Sequence, residues 1–182
     1  MKTPKLFVPE KSLDPKTKQL FDSPKLKQPD ERCITVIERI VRKNDECYGF
    51  MLTDAEIFSI LEKLPAGDVE SLERIIITKP LRNEHYKLFG RYEKGFRISE
   101  NYINGRIYLF KHLKTDGKFV IELGYKTVIY TPEEFKIKNY ESLLHEVGHH
   151  VAIKDFDDKS EEFAKNYSHK MAKNIGLDRL FL

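Results

Sequence analysis

The segment Leu143-Leu144-His145-Glu146-Val147-Gly148-His149-His150-Val151 constrains this chain more than any other. At about 100° per residue on a helix, His145 and His149 stand one turn apart on one face, so both imidazoles can reach one metal ion. Leu143, Val147 and Val151 fall on the opposite side, which describes a helix with one face in a core and the other on a cleft. Glu146, between the two histidines, is placed to take a proton from water rather than to ligate the metal. His150 is turned about 100° from His149 and reads as a packing or surface histidine. His85, His112 and His169 are isolated in sequence and read the same way.

A catalytic zinc site takes a third protein ligand and keeps a position for water. The downstream candidates are Asp155, Asp157, Asp158, Glu161, Glu162 and His169. The run from Asp158 to Lys173 reads as a second helix, capped by Asp157, Asp158 or Ser160 and ended near Gly176. On that helix Glu161 shares a face with Ala164, Ser168 and Ala172, which are small enough to let the two helices approach closely. Glu162 shares its face with Asn166, His169 and Lys173, a solvated set. A ligand has to face the partner helix, so Glu161 is the expected third ligand. The competing reading is a first-turn glutamate that merely complements the helix dipole.

The rest of the chain supplies a scaffold. Thr131-Pro132-Glu133-Glu134 combines an N-cap, a proline at the first helical position and a capping-box glutamate, so the chain should be helical from there to about Gly176 apart from one loop. Thr53 with Glu56, then Ile57, Ile60, Leu61 and Leu64 on one face before Pro65, predicts an earlier amphipathic helix. Between Glu73 and Ile129 lie short β-rich runs at 75–78, 106–112, 118–123 and 127–130. Asn104-Gly105 and Asp116-Gly117 read as hairpin turns, because both central positions of such a turn need positive φ. The stretch from Cys33 to Asn44 fits a strand or a helix equally. An α+β fold follows, with a small mixed or antiparallel sheet, a backing helix, the histidine helix and a C-terminal glutamate helix.

Residues 1–30 hold five of the eight prolines and no apolar periodicity, so they read as a disordered tail, leaving 31–182 as one domain. Seven lysines against four acids in that tail account for the whole net charge of +3, and the other 152 residues balance at 25 of each sign. Such a balance leaves no strong nucleic-acid footprint. No apolar run approaches a membrane span, and a soluble, cytoplasmic protein is expected. Cys33 and Cys47 belong to no metal-binding or redox spacing.

His145-Glu146-Val147-Gly148-His149 followed by Glu161-Glu162-Phe163-Ala164 resembles the gluzincin metallopeptidases, and the short spacing is similar to the small minigluzincins and to antitoxin-like, repressor-cleaving metallopeptidases. That resemblance implies a zincin-like fold, a Zn2+ cofactor on His145, His149 and Glu161, Glu146 as general base, and a peptide or protein substrate laid along an exposed strand. It does not extend to residues 1–44. Lys165 departs from several related families, which carry there an acid that supports a ligand histidine. A zinc-binding regulatory or interaction module of the same fold is the alternative to an enzyme. A di-iron bundle would need a second Glu-x-x-His pair, which is absent, and a deformylase would need a ligand cysteine that Cys47 is poorly placed to supply. The apolar end, residues 177–182, is expected either to cover the core or to fold back into the cleft as an inhibitor.

Overall fold

Two capping boxes launch the helices on which the core is built. Thr53 Oγ1 accepts from the Glu56 N–H while Glu56 accepts from the Thr53 N–H, and Thr131 and Glu134 repeat the exchange. The computed structural model describes residues 35–80, 88–99, 102–123, 126–157 and 159–177. In chain order these form β1 (Val36–Arg39), β2 (Tyr48–Gly49), α1 (Asp54–Leu61), α2 (Ala66–Val69), β3 (Leu72–Thr78), β4 (Gly90–Ser99), β5 (Tyr102–Phe110), β6 (His112–Thr115), β7 (Lys118–Leu123), β8 (Lys126–Tyr130), α3 (Pro132–Phe156) and α4 (Glu161–Asn174). The expected tail at 1–30 and the segment 178–182 lie outside the described residues.

The fold is α+β, as expected, but its strands make two sheets rather than one. The first has the order β1-β3-β5-β4, with β1, β3 and β5 parallel and β4 antiparallel at the edge. The second, β2-β6-β7-β8, is antiparallel throughout. Only Lys111 separates β5 from β6, so the chain passes from one sheet to the other in a single residue. Within the ambiguous stretch, Val36–Arg39 forms strand β1, with a parallel partner in Arg74–Ile77.

One hairpin signal holds and one fails. Asp116 and Gly117 have φ of 51° and 74° and connect β6 to β7. Asn104-Gly105 is instead inside β5, with Gly105 opposite both Leu72 and Lys94. A Cβ on Gly105 would lie 2.4 Å from His150 Nδ1 and 2.8 Å from Tyr92 Cε2. Glycine is needed there for close approach, not for a turn.

The main core lies between the first sheet and the helices. Ile57, Ile60 and Leu61 of α1 meet Ile75 and Ile77 of β3, Ile107 and Leu109 of β5, and Leu143, Leu144 and Val147 of α3. A smaller cluster, Phe119, Ile121 and Phe135, ties the second sheet to the start of α3, with the Phe119 and Phe135 rings stacked at 3.9 Å. Lys136 and Tyr140 of α3 both reach the Glu56 carboxylate, so the α1 cap also fixes the angle of α3. Among the described residues no helix is long and apolar enough to cross a membrane.

At the crossing between sheets, Lys111 donates to Asp45 at 2.6 Å and to the Ile40 carbonyl at 3.0 Å. Burial raises the Asp45 pKa, but the Lys111 hydrogen bond and charge outweigh it and hold the carboxyl below its ordinary value. Lys111→Met is expected to cost about 2 kcal/mol of unfolding free energy at neutral pH, as loss of one partner strands a buried charge. Since the folded pKa is the lower one, the gap between wild type and variant in urea unfolding should be full above about pH 4 and close as pH falls through the folded value. A gap unchanged down to pH 2 would contradict this account.

Candidate metal centre

Helix α3 carries the histidines because its apolar face has no alternative but the core. Leu143, Leu144 and Val147 are fully buried, and that fixes the rotation of the helix. His145 and His149 then emerge on the other side, with ring centroids 4.7 Å apart and planes at 89°. The loop after Phe156 reverses the chain through Asp157, at φ 50°. Of the three capping candidates, Ser160 is the one that starts α4, its Oγ accepting from the Phe163 N–H at 3.2 Å.

The small face of α4 packs as its sequence implies. Ala164, Ser168 and Ala172 are buried, whereas His169 and Lys173 are exposed. A Cβ on Gly148 would lie 2.9 Å from the Ala164 Cα and 2.9 Å from its carbonyl oxygen, so glycine and alanine together set the helix separation. That separation delivers Glu161 to the histidines. Its Oε2 is 3.1 Å from His145 Nε2, its Oε1 is 3.4 Å from His149 Nε2, and the two Nε2 atoms are 3.2 Å apart.

These three separations define what the group can hold. Ligand bonds of about 2.0–2.2 Å in a tetrahedron put neighbouring donors about 3.3–3.6 Å apart, close to the distances seen. Two imidazole nitrogens and a carboxylate aimed at one point are also poorly matched as a hydrogen-bond set, because one neutral imidazole nitrogen is shared between two neighbours. Among the described residues this is the group of histidine, cysteine and acidic side chains whose donors converge within metal-binding range. Comparison with known protein families, curated proteins and solved structures returns no match.

The cluster opens on a cleft of about 820 Å³ between α3, α4 and the start of β4. Glu146 is only 5% exposed and faces the same cleft. Burial, and then the Glu161 carboxylate, push its pKa up to about 8, against a backbone N–H from Tyr92 that favours the charged form. A cation on the triad would oppose both upward effects. Gly90 brings β4 unusually near, since a Cβ there would lie 2.5 Å from Ser142 Oγ and 2.9 Å from Glu146 Oε1. Arg91, Lys138, Lys159 and Lys165 line the same space together with Glu141, Glu146 and Glu161, so its walls carry both signs of charge.

The remaining sequence candidates separate cleanly. Glu162 is exposed and lies outside the cluster, and Lys165 is exposed on the cleft wall. Asp157 instead pairs with Lys94 at 3.3 Å, and Asp155 pairs with Lys154. His150 does point away from the cluster and is a packing histidine, with Tyr92 and Glu70 as hydrogen-bond partners. His112 is buried between Phe89 and Phe135, where burial pushes its pKa down to about 4. His169 lines the cleft, and His85 and Asp158 lie outside the described residues. Sequence reasoning missed β4 and with it Gly90 and Tyr92. Leu177 packs on the core and its N–H reaches the Ala172 carbonyl, so the first residue of the expected tail covers the core.

Proposed function

We propose that this chain is a zinc-dependent endopeptidase of the gluzincin type, a reading carried by the convergence of His145, His149 and Glu161 beside a buried Glu146. The donor set fits: two imidazoles and one carboxylate suit zinc, and three protein ligands leave room for water and substrate. When bound, zinc supplies a Lewis acid that acidifies water and polarises a carbonyl. Glu146 is the base in this scheme, accepting a proton from the attacking water and returning it to the leaving amine as the peptide bond breaks. Glu161 is a ligand on this reading, and its 81% exposed side chain makes it the outer wall of the site.

An extended substrate would add to the free edge of β4. Phe89 turns its carbonyl inward to the Phe110 N–H, so by alternation the Gly90 backbone groups and the Tyr92 carbonyl point away from β5, and Gly90 and Tyr92 line the cleft. Main-chain pairing of this kind favours unfolded segments over folded protein. The expected result is one zinc per chain by elemental analysis and cleavage of an unfolded protein substrate that stops on chelation and returns with zinc. Stoichiometric zinc with no cleavage of any unfolded substrate would favour the regulatory-module alternative, and absence of zinc binding would remove both.

A further inference from the structure

His150 is 0% exposed, yet both of its ring nitrogens are engaged. Nε2 is 2.8 Å from the Glu70 carbonyl oxygen and Nδ1 is 3.1 Å from the Tyr92 hydroxyl. A carbonyl oxygen can only accept, so Nε2 carries the proton. With the proton on Nε2, Nδ1 of the neutral ring is an acceptor, and the Tyr92 O–H at 3.1 Å is its donor. Tyr92 stays a phenol, with its own pKa pushed up to about 12 by burial. One orientation of the whole chain, from Tyr92 through His150 to Glu70, satisfies every group in it.

Tyr92 has a second attachment. Its backbone N–H faces away from β5 and favours the charged form of the nearby Glu146 carboxylate, and two residues earlier Gly90 passes so close that a Cβ there would lie 2.9 Å from Glu146 Oε1. The residue is thus held at its side chain by a histidine of α3, while its amide lies beside the carboxylate one turn earlier on that same helix. Gly105 makes this geometry reachable, because any side chain there would occupy the space of the Tyr92 and His150 rings.

We propose that Tyr92 and His150 are positioning residues, which lock the edge strand β4 onto α3 and thereby aim Glu146 into the cleft. The inference deepens the peptidase reading and rests on it for its kinetic consequence. The pair sits outside the donor set, so metal binding does not depend on it.

The test uses the full-length, zinc-loaded chain and a Tyr92→Phe variant, which removes the hydroxyl and keeps the ring. Amide hydrogen exchange at position 92 should be slow in the wild type although the amide is on a sheet edge. In Tyr92→Phe it should quicken by about tenfold or more, with zinc stoichiometry unchanged. For cleavage of an unfolded substrate, kcat should fall by about tenfold with KM within about twofold, a split that a merely stabilising residue would not give. Nitrogen-15 NMR of wild-type His150 should show the Nε2-protonated tautomer, a readout that needs no variant. An Nδ1-protonated ring, or unchanged exchange and kcat in folded Tyr92→Phe, would overturn the proposal. If the wild type cleaves no substrate, the peptidase reading fails, and the exchange and tautomer results still decide whether Tyr92 and His150 hold Glu146.

Discussion

Glu161→Ala is expected to weaken zinc binding by more than about 100-fold, beyond what loss of an outer partner of a metal ligand costs, whereas Glu162→Ala should leave affinity within about twofold. The two glutamates are adjacent in sequence and both exposed, so composition, net charge and the helix dipole change equally in the two variants. Only geometry separates them. Glu161 places an oxygen 3.1 Å from His145 Nε2 and another 3.4 Å from His149 Nε2, and about 100° of helix rotation takes Glu162 away from that point. Its high exposure helps the experiment, since truncation opens no cavity, and stability should shift by no more than about 0.5 kcal/mol. Competition against a chromophoric chelator gives the affinity, and thermal unfolding of the metal-free proteins checks the fold. Equal losses in the two variants would mean that the carboxylates act through charge alone, and a larger loss in Glu162→Ala would move the ligand.

Much of this site was legible because its determinants are local. The Thr131 capping box and Pro132 fix where α3 starts, and the 3.6-residue repeat then decides that His145 and His149 share a face opposite Leu143 and Val147. The approach of Glu161 to the two histidines was legible for the same reason, since Ala164, Ser168 and Ala172 mark the face that packs. What escaped depends on contacts far apart in sequence. His150 finds Tyr92 58 residues away and Glu70 80 residues away, and nothing in its neighbours announces either. Gly105 carries the same lesson with the opposite sign. The Asn-Gly pair is a strong local turn signal, overridden because β5 runs on beneath two rings that leave no room for a Cβ. Strand β4 was missed because edge strands interrupt their β-formers with charge: Arg91, Glu93 and Lys94 dilute the alternation while discouraging edge-to-edge association.

Glu146→Gln should retain one zinc per chain and lose cleavage of an unfolded substrate by about 10²–10⁴-fold, the range associated with removing a general base. Glutamine copies the shape of the side chain but leaves no basic oxygen able to take a proton at neutral pH. Shape matters here, because Gly90 crosses so near that its absent Cβ would lie 2.9 Å from Glu146 Cγ and Oε1, and a larger residue would displace the strand. Zinc should stay because Glu146 contributes no atom to the converging group of His145, His149 and Glu161. The metal-free variant should be at least as resistant to heat as the wild type, since the carboxylate it removes is 5% exposed and burial disfavours its charged form. A measurement on purified protein therefore has three readings: metal content, thermal midpoint and kcat. Loss of zinc together with activity would recast Glu146 as a ligand, and full activity in a zinc-loaded Glu146→Gln protein would eliminate the carboxylate as the base.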